Sequence, residues 1–197
     1  MPKVLVTDGI HPSAVPILEE VCEVAFEPKL SAEELHARIA EFDGLMIRSA
    51  SRVTAETFAL ASRLKIVGRA GVGTDNVDLK AANQKGCIVV NSPEGNTIAA
   101  SEHTIGLLFA LARHIPRGDR SLKQGQWDRK HLTGVELFGK TLGLVGLGKI
   151  GSRVAKACAT MGMKVLVYDP FISSAVAEKL GATQVTLDEI WSRSDFI

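Results

Sequence analysis

The chain reads as an α/β protein made of two doubly wound parallel-sheet domains. Three observations predict this. Short apolar segments alternate with helix-like segments from residue 4 onward. Those segments are too apolar to have a wet face, which implies a parallel sheet covered by helices on both sides. The rhythm breaks at the turn-rich Ser92-Pro93-Glu94-Gly95-Asn96 and restarts at Thr141, so two domains are expected, 1–93 and 94–197. A length of 197 residues accommodates one large domain or two small ones.

The elements follow in order. Val4-Leu5-Val6-Thr7 is a strand ended by Asp8-Gly9, and helix-like residues occupy 13–21. Residues 22–26 form a second strand. Ser31 and Glu34 have capping-box spacing and open a helix to about residue 41. Leu45-Met46-Ile47 is a third strand. Thr54 caps a helix to about residue 64, before the strand Lys65-Ile66-Val67. Asp78 begins a helix that Gly86 ends, and Ile88-Val89-Val90 is a fifth strand. A long helix over 97–114 is apolar nearly all round, at Ile105, Leu107, Leu108, Phe109 and Leu111. Such a helix should be buried, against the sheet or against a partner chain. Pro116 interrupts it, and a second helix continues to about residue 124. From Thr141 four strands are expected, the last just beginning at Asp195-Phe196-Ile197.

Composition narrows the function. Hydrophobic residues make up 46% and charged residues 23%, an ordinary globular balance. Lys+Arg 23 against Asp+Glu 22 gives +1 with no basic block, which disfavours nucleic acid. Cys22, Cys87 and Cys158 are widely spaced without a CxxC pair, so neither a disulfide framework nor a metal site is expected, and a cytoplasmic setting fits. The N-terminus runs directly into a strand, and no signal peptide is expected. The apolar stretch 104–112 is about half a membrane span, so no membrane association is expected.

The strongest motif is Gly146-Leu147-Gly148-Lys149-Ile150-Gly151, placed between a strand and a helix. In this context a GxGxxG run cradles a dinucleotide. Gly146 allows the tight turn, Gly148 lets a pyrophosphate approach the backbone, and Gly151 lets helix and strand pack closely. The helix N–H groups then point at the anion. Asp169 ends the next strand, with seventeen residues between it and Gly151. An acid there accepts both ribose hydroxyls and repels a 2′-phosphate, favouring NAD over NADP.

A second constellation lies in the first half. Arg48-Ser49 follows the third strand, Arg69-Ala70-Gly71-Val72-Gly73 the fourth, and the 91–96 turn the fifth. In open parallel sheets ligands bind beyond the carboxyl ends of the strands. Two arginines suit a carboxylate or phosphate, and Gly71 and Gly73 let backbone N–H groups meet the same anion. Asp75 and Asp78 read as caps. None of His11, His36, His103, His114 and His131 forms a convincing catalytic pattern with a nearby carboxylate.

The runs 68–78, 91–96 and 139–151 resemble the D-2-hydroxyacid dehydrogenase family. That resemblance covers essentially the whole chain. It implies a flavodoxin-like substrate domain and an incomplete Rossmann NAD-binding domain. It implies that Arg48, Ser49, Arg69, Gly71, Asn96, Arg129 and Lys130 hold the carboxylate and phosphate of a small phosphorylated 2-hydroxy acid. It further implies that Val72, Lys149, Ile150 and Asp169 line the cofactor beside Gly146, Gly148 and Gly151. The family reaction is NAD-dependent oxidation of a 2-hydroxyl, and its members include glyoxylate or hydroxypyruvate reductases and NAD-sensing corepressors. The family's catalytic Arg, Glu and His match no residue here, so no catalytic residue is assigned and these 197 residues alone are expected to be inactive. A homo-oligomer is expected, as the family shows.

Overall fold

The computed structural model describes residues 1–197. The chain divides into two compact units, Met1–Gly95 and Asn96–Ile197.

The first unit holds β1 (Lys3–Val6), α1 (Ala14–Glu19), β2 (Glu23–Phe26), α2 (Ala32–Arg38), β3 (Gly44–Ile47), α3 (Ala55–Leu60), β4 (Ile66–Arg69), α4 (Leu79–Lys85) and β5 (Ile88–Asn91). All neighbouring strands pair in parallel, in the order β2-β1-β3-β4-β5. This is the flavodoxin-like order, with its switch point between β1 and β3. Local chemistry starts the helices as the sequence implied. Ser31 and Glu34 form the capping box of α2, Asp78 accepts from Ala81 N–H at 2.9 Å, and Gly86 ends α4 at φ +71°. Thr54 caps α3, yet α3 stops at Leu60 rather than near residue 64. Ala61 leaves helical geometry, and both Ala61 and Leu64 are buried. Their burial in the core overrides a further helical turn.

Helices lie on both faces of this sheet, but cover them unequally. Leu5, Leu45, Ile47 and Val67 pack with Leu35, Ile39, Phe58 and Ala82 into one core. On the other face Ile66, Ile88 and Val90 stay exposed. A cleft of about 430 Å³ opens there, lined by Val4, Leu18 of α1, Met46, Gly68 and Val90. Handedness accounts for the asymmetry. Three right-handed crossovers, through α2, α3 and α4, advance in one direction along the sheet and so share a face. Only the β1-to-β2 crossover runs the other way, which places α1 alone on the opposite face.

The second unit begins with α5 (Thr97–Ala112) and α6 (Ile115–Lys123). It continues with β6 (Thr141–Val145), α7 (Lys149–Thr160), β7 (Lys164–Tyr168), α8 (Ser174–Lys179), β8 (Ala182–Gln184) and α9 (Leu187–Arg193). The parallel sheet has the order β6-β7-β8, and Phe196 makes a parallel bridge to Leu142 on the free side of β6. Numbered within the unit, that is the 3-2-1-4 start of a dinucleotide-binding sheet. Cys158, Val154, Val165, Val167 and Ala177 form its core. On the opposite side of the sheet Ile190 of α9 is fully buried.

One expectation for α5 needs correction. The helix ends at Ala112 because His114 takes a left-handed backbone, φ +53°. Pro116 then sits in the first turn of α6, where its missing N–H has no intrahelical acceptor to lose. Within the chain α5 is covered on one side, and the partner-chain alternative for its other side stands as an expectation. The helix packs against α7, while Ile98, Leu107 and Leu111 are more than half exposed.

Candidate functional site

The first-unit site is built at the carboxyl edge of the sheet. Ile47, Arg69 and Asn91 are register partners at the ends of β3, β4 and β5. Each strand then enters a loop, and the loops are tied to one another. Ala70 N–H donates to Ile47 C=O at 2.8 Å, and Ser92 N–H to Gly71 C=O at 2.9 Å. Asn91 Nδ2 donates to Val72 C=O at 2.6 Å. Val53 bridges in parallel to Val77, linking the loop after β3 to the loop after β4. Backbone groups satisfied in this way keep irregular segments in one conformation.

The structure gathers Arg48, Ser49, Arg69 and Gly71 at this edge. Arg48 and Ser49 are exposed. Arg48 Nη1 donates to Gly9 C=O at 3.1 Å, leaving its other donors for a ligand. The Arg69 guanidinium folds over Gly71, where a Cβ would collide with Nη1, and its Nε is buried without a partner. An unpaired buried donor is costly to the fold. Val72 lies in the same loop, its carbonyl held by Asn91.

Asn96, Arg129 and Lys130 belong to the second unit. Asn96 is the N-cap residue of α5 but makes no side-chain capping bond. Arg129 and Lys130 are exposed in a short 3-10 turn, Arg129–His131. Arg129, Trp127 and Leu132 line a cleft of about 360 Å³. The carboxylate of Asp128 is held below its usual range by the hydrogen bond from His131, assisted by the charges of His131 and Arg117.

The glycine loop has the geometry a dinucleotide needs. Gly146 has φ +101°, a conformation open to glycine and strained for other residues. A Cβ on Gly148 would meet nothing within 4 Å, which leaves room for a phosphate group. A Cβ on Gly151 would strike the Gly146 carbonyl oxygen, so α7 can start this close to β6 only with glycine there. Gly148 is the N-cap of α7 and brings no side chain to its first-turn N–H groups. Lys149 and Ile150 form that first turn. Asp169 accepts from Leu147 N–H (2.8 Å, Oδ2) and Phe171 N–H (2.8 Å, Oδ1). These two amides hold its carboxyl below the usual aspartate range. A carboxylate oxygen accepts more than one hydrogen bond, so ribose hydroxyls can still be held.

Three of the five histidines have local side-chain partners. His11 Nδ1 bonds the Ser13 hydroxyl at 2.7 Å, His36 Nε2 bonds Thr57 Oγ1 at 3.0 Å, and His131 pairs with Asp128. Sequence reasoning missed Asp8, Ser51 and Asn76, which are packed beneath Arg48. Asp8-Gly9 looked like a plain turn, although an acid closing the first strand at a switch point was a readable signal.

Comparison with known proteins identifies the family and the fold. Residues 4–193 match the family described as D-isomer specific 2-hydroxyacid dehydrogenase, catalytic domain. A D-3-phosphoglycerate dehydrogenase from Synechocystis sp. is 51% identical over 197 residues, and the chain spans 36% of its length. The crystal structure of the TT0316 protein from Thermus thermophilus superposes with a TM-score of 0.89 at 33% identity, covering 98% of this chain and 62% of that one. A D-lactate dehydrogenase from Aquifex aeolicus, complexed with NAD and lactic acid, gives 0.85 at 26% identity over 98% and 58% of the two chains. The loop geometry, the strand orders and the family match converge, and the chain belongs to the D-isomer specific 2-hydroxyacid dehydrogenase family.

Proposed function

We propose that this chain supplies the substrate-recognition and adenosine-side elements of an NAD-dependent dehydrogenase that converts D-3-phosphoglycerate to 3-phosphohydroxypyruvate, a step toward serine. The observation that carries the cofactor assignment is the Leu147–Asp169 hydrogen bond, which sets an acid beside the glycine loop. The ionised carboxylate accepts ribose hydroxyls and repels a 2′-phosphate, so NAD is preferred to NADP. The Gly148 backbone and the first turn of α7 hold the pyrophosphate. NAD, when bound, supplies the acceptor for the hydride leaving C2.

On the substrate side, Arg48 and Arg69 each offer a planar fork of donors that fits a carboxylate or phosphate in bidentate fashion. Ser49 adds a hydroxyl; within the second unit, Asn96, Arg129 and Lys130 are donors of the same class. The name of the Synechocystis relative supports a phosphorylated substrate over a shorter hydroxy acid. The exposed apolar positions of α5, Leu107 and Leu111, support a homo-oligomer. The three free, buried cysteines support a reducing cytoplasm.

Calorimetric titration of the chain tests this reading. NAD should bind more tightly than NADP, and D-3-phosphoglycerate more tightly than D-lactate or glyoxylate. Arg48→Ala and Arg69→Ala should each weaken phosphoglycerate binding by about 10- to 100-fold, the range for losing hydrogen bonds to a charged group. Equal affinity for D-lactate and phosphoglycerate would favour a reductase of small hydroxy acids.

A further inference from the structure

We infer that Asp8 is the positioning residue of the anion site, holding the loop 48–51 so that Arg48 and Ser49 are presented to the substrate; this rests on the reading of that edge as a substrate site. Asp8 lies two residues beyond the end of β1 and is 5% exposed. A carboxylate so buried must be well hydrogen-bonded. Its donors come from a loop some forty residues later. Arg48 N–H donates to Oδ2 at 2.5 Å, Ser51 N–H lies 3.2 Å from both oxygens, and the Ser51 hydroxyl donates to Oδ1 at 2.6 Å. The Thr7 and Ser51 hydroxyls are 2.8 Å apart. Buried Asn76 closes the clamp, its Nδ2 donating to both Arg48 C=O and Ser51 C=O at 2.6 Å. The backbone is fixed at Arg48 and at Ser51, while Arg48 and Ser49 stay exposed.

Topology places this clamp where a ligand is expected. Asp8 and Arg48 follow β1 and β3, the strands flanking the switch point of a β2-β1-β3-β4-β5 sheet. Electrostatics makes the arrangement informative. A negative charge beneath an anion site opposes anion binding. Charge alone therefore predicts tighter binding when Asp8 is neutralised, whereas positioning predicts weaker binding.

The test is calorimetric titration of the chain with D-3-phosphoglycerate, using Asp8→Asn, Ser51→Ala, Arg48→Ala and the Asp8→Asn/Arg48→Ala pair. Asp8→Asn should weaken binding about tenfold, Ser51→Ala about threefold. On the Arg48→Ala background Asp8→Asn should cause a clearly smaller loss, that of Ser49 alone, because residues acting through one another couple. A purely structural role predicts the same loss on both backgrounds and would overturn the inference. So would unchanged or tighter binding in Asp8→Asn. If Asp8→Asn does not fold, Ser51→Ala decides, and unchanged affinity there overturns the role. If the unsubstituted chain shows no phosphoglycerate titration, the reading of the site fails and the role of Asp8 fails with it. Binding by the unsubstituted chain that Asp8→Asn leaves intact removes the role alone.

Discussion

Leu147, inside the glycine loop, donates its backbone N–H to Oδ2 of Asp169, which ends the neighbouring strand, at 2.8 Å. Tyr168 and Gly146 reinforce the junction through a Gly146 N–H to Tyr168 C=O bond of 2.8 Å. One carboxylate thus braces the glycine loop, and in the proposed reading it lies at the ribose end of the cofactor.

Replacing Asp169 by Ala should therefore weaken NAD binding or relax selectivity toward NADP. Parallel titrations with both nucleotides measure this. Unchanged affinities for both would remove Asp169 from the site.

Two glycines in the same loop should respond oppositely. Gly148→Ala places its Cβ in open space, so melting should be unaffected, while NAD affinity should drop roughly tenfold as the phosphate loses its approach. Gly151→Ala drives a Cβ into the Gly146 carbonyl and should cost about 1–3 kcal/mol of stability. Thermal melts with and without NAD separate the two effects. A stability loss in the first variant with none in the second would contradict the loop geometry.

The titration of Asp169 has a definite sign. Amides of Leu147 and Phe171 hold its carboxyl below the ordinary value of about 3.9. A group lowered on folding stabilises the native state above its unfolded value, and that contribution is lost as pH falls through the lowered native value. NAD affinity should be flat between about pH 5.5 and 8 as far as this group is concerned. Carboxyl NMR of Asp169 provides the check, and a midpoint at or above about 3.9 would be inconsistent with the two amide bonds.

Ser31→Ala offers a control away from the ligand edge. It removes half of the α2 capping box, in which Glu34 N–H donates to Ser31 Oγ at 3.2 Å. Stability should fall by about 1 kcal/mol with phosphoglycerate affinity unchanged. Urea melts and the same titration read both, and an affinity loss comparable with that of Arg48→Ala would show that α2 and the anion site are coupled.

Much of this was legible in residue order. The parallel-sheet class, the capping box at Ser31, the αL stop at Gly86 and the roles of Gly146 and Gly151 all depend on chemistry within a few residues, which sequence records directly. The placement of Arg48 and Arg69 was readable because each stands at the carboxyl end of an apolar strand. Local patterns failed where distant contacts decide. Ala61 and Leu64 shorten α3 because the core takes them. The apolar rim of α5 faces outward because α7 covers one side of it alone.

The sequence by itself determined that this is a two-unit α/β protein with a dinucleotide loop and two arginines at strand ends, since periodicity, glycine and caps act locally. Only the tertiary structure decided that Asp8 and Asn76 hold Arg48 in place and that one face of the first sheet is thinly covered. Those outcomes depend on partners tens of residues apart, and on crossover direction, neither of which any local pattern encodes.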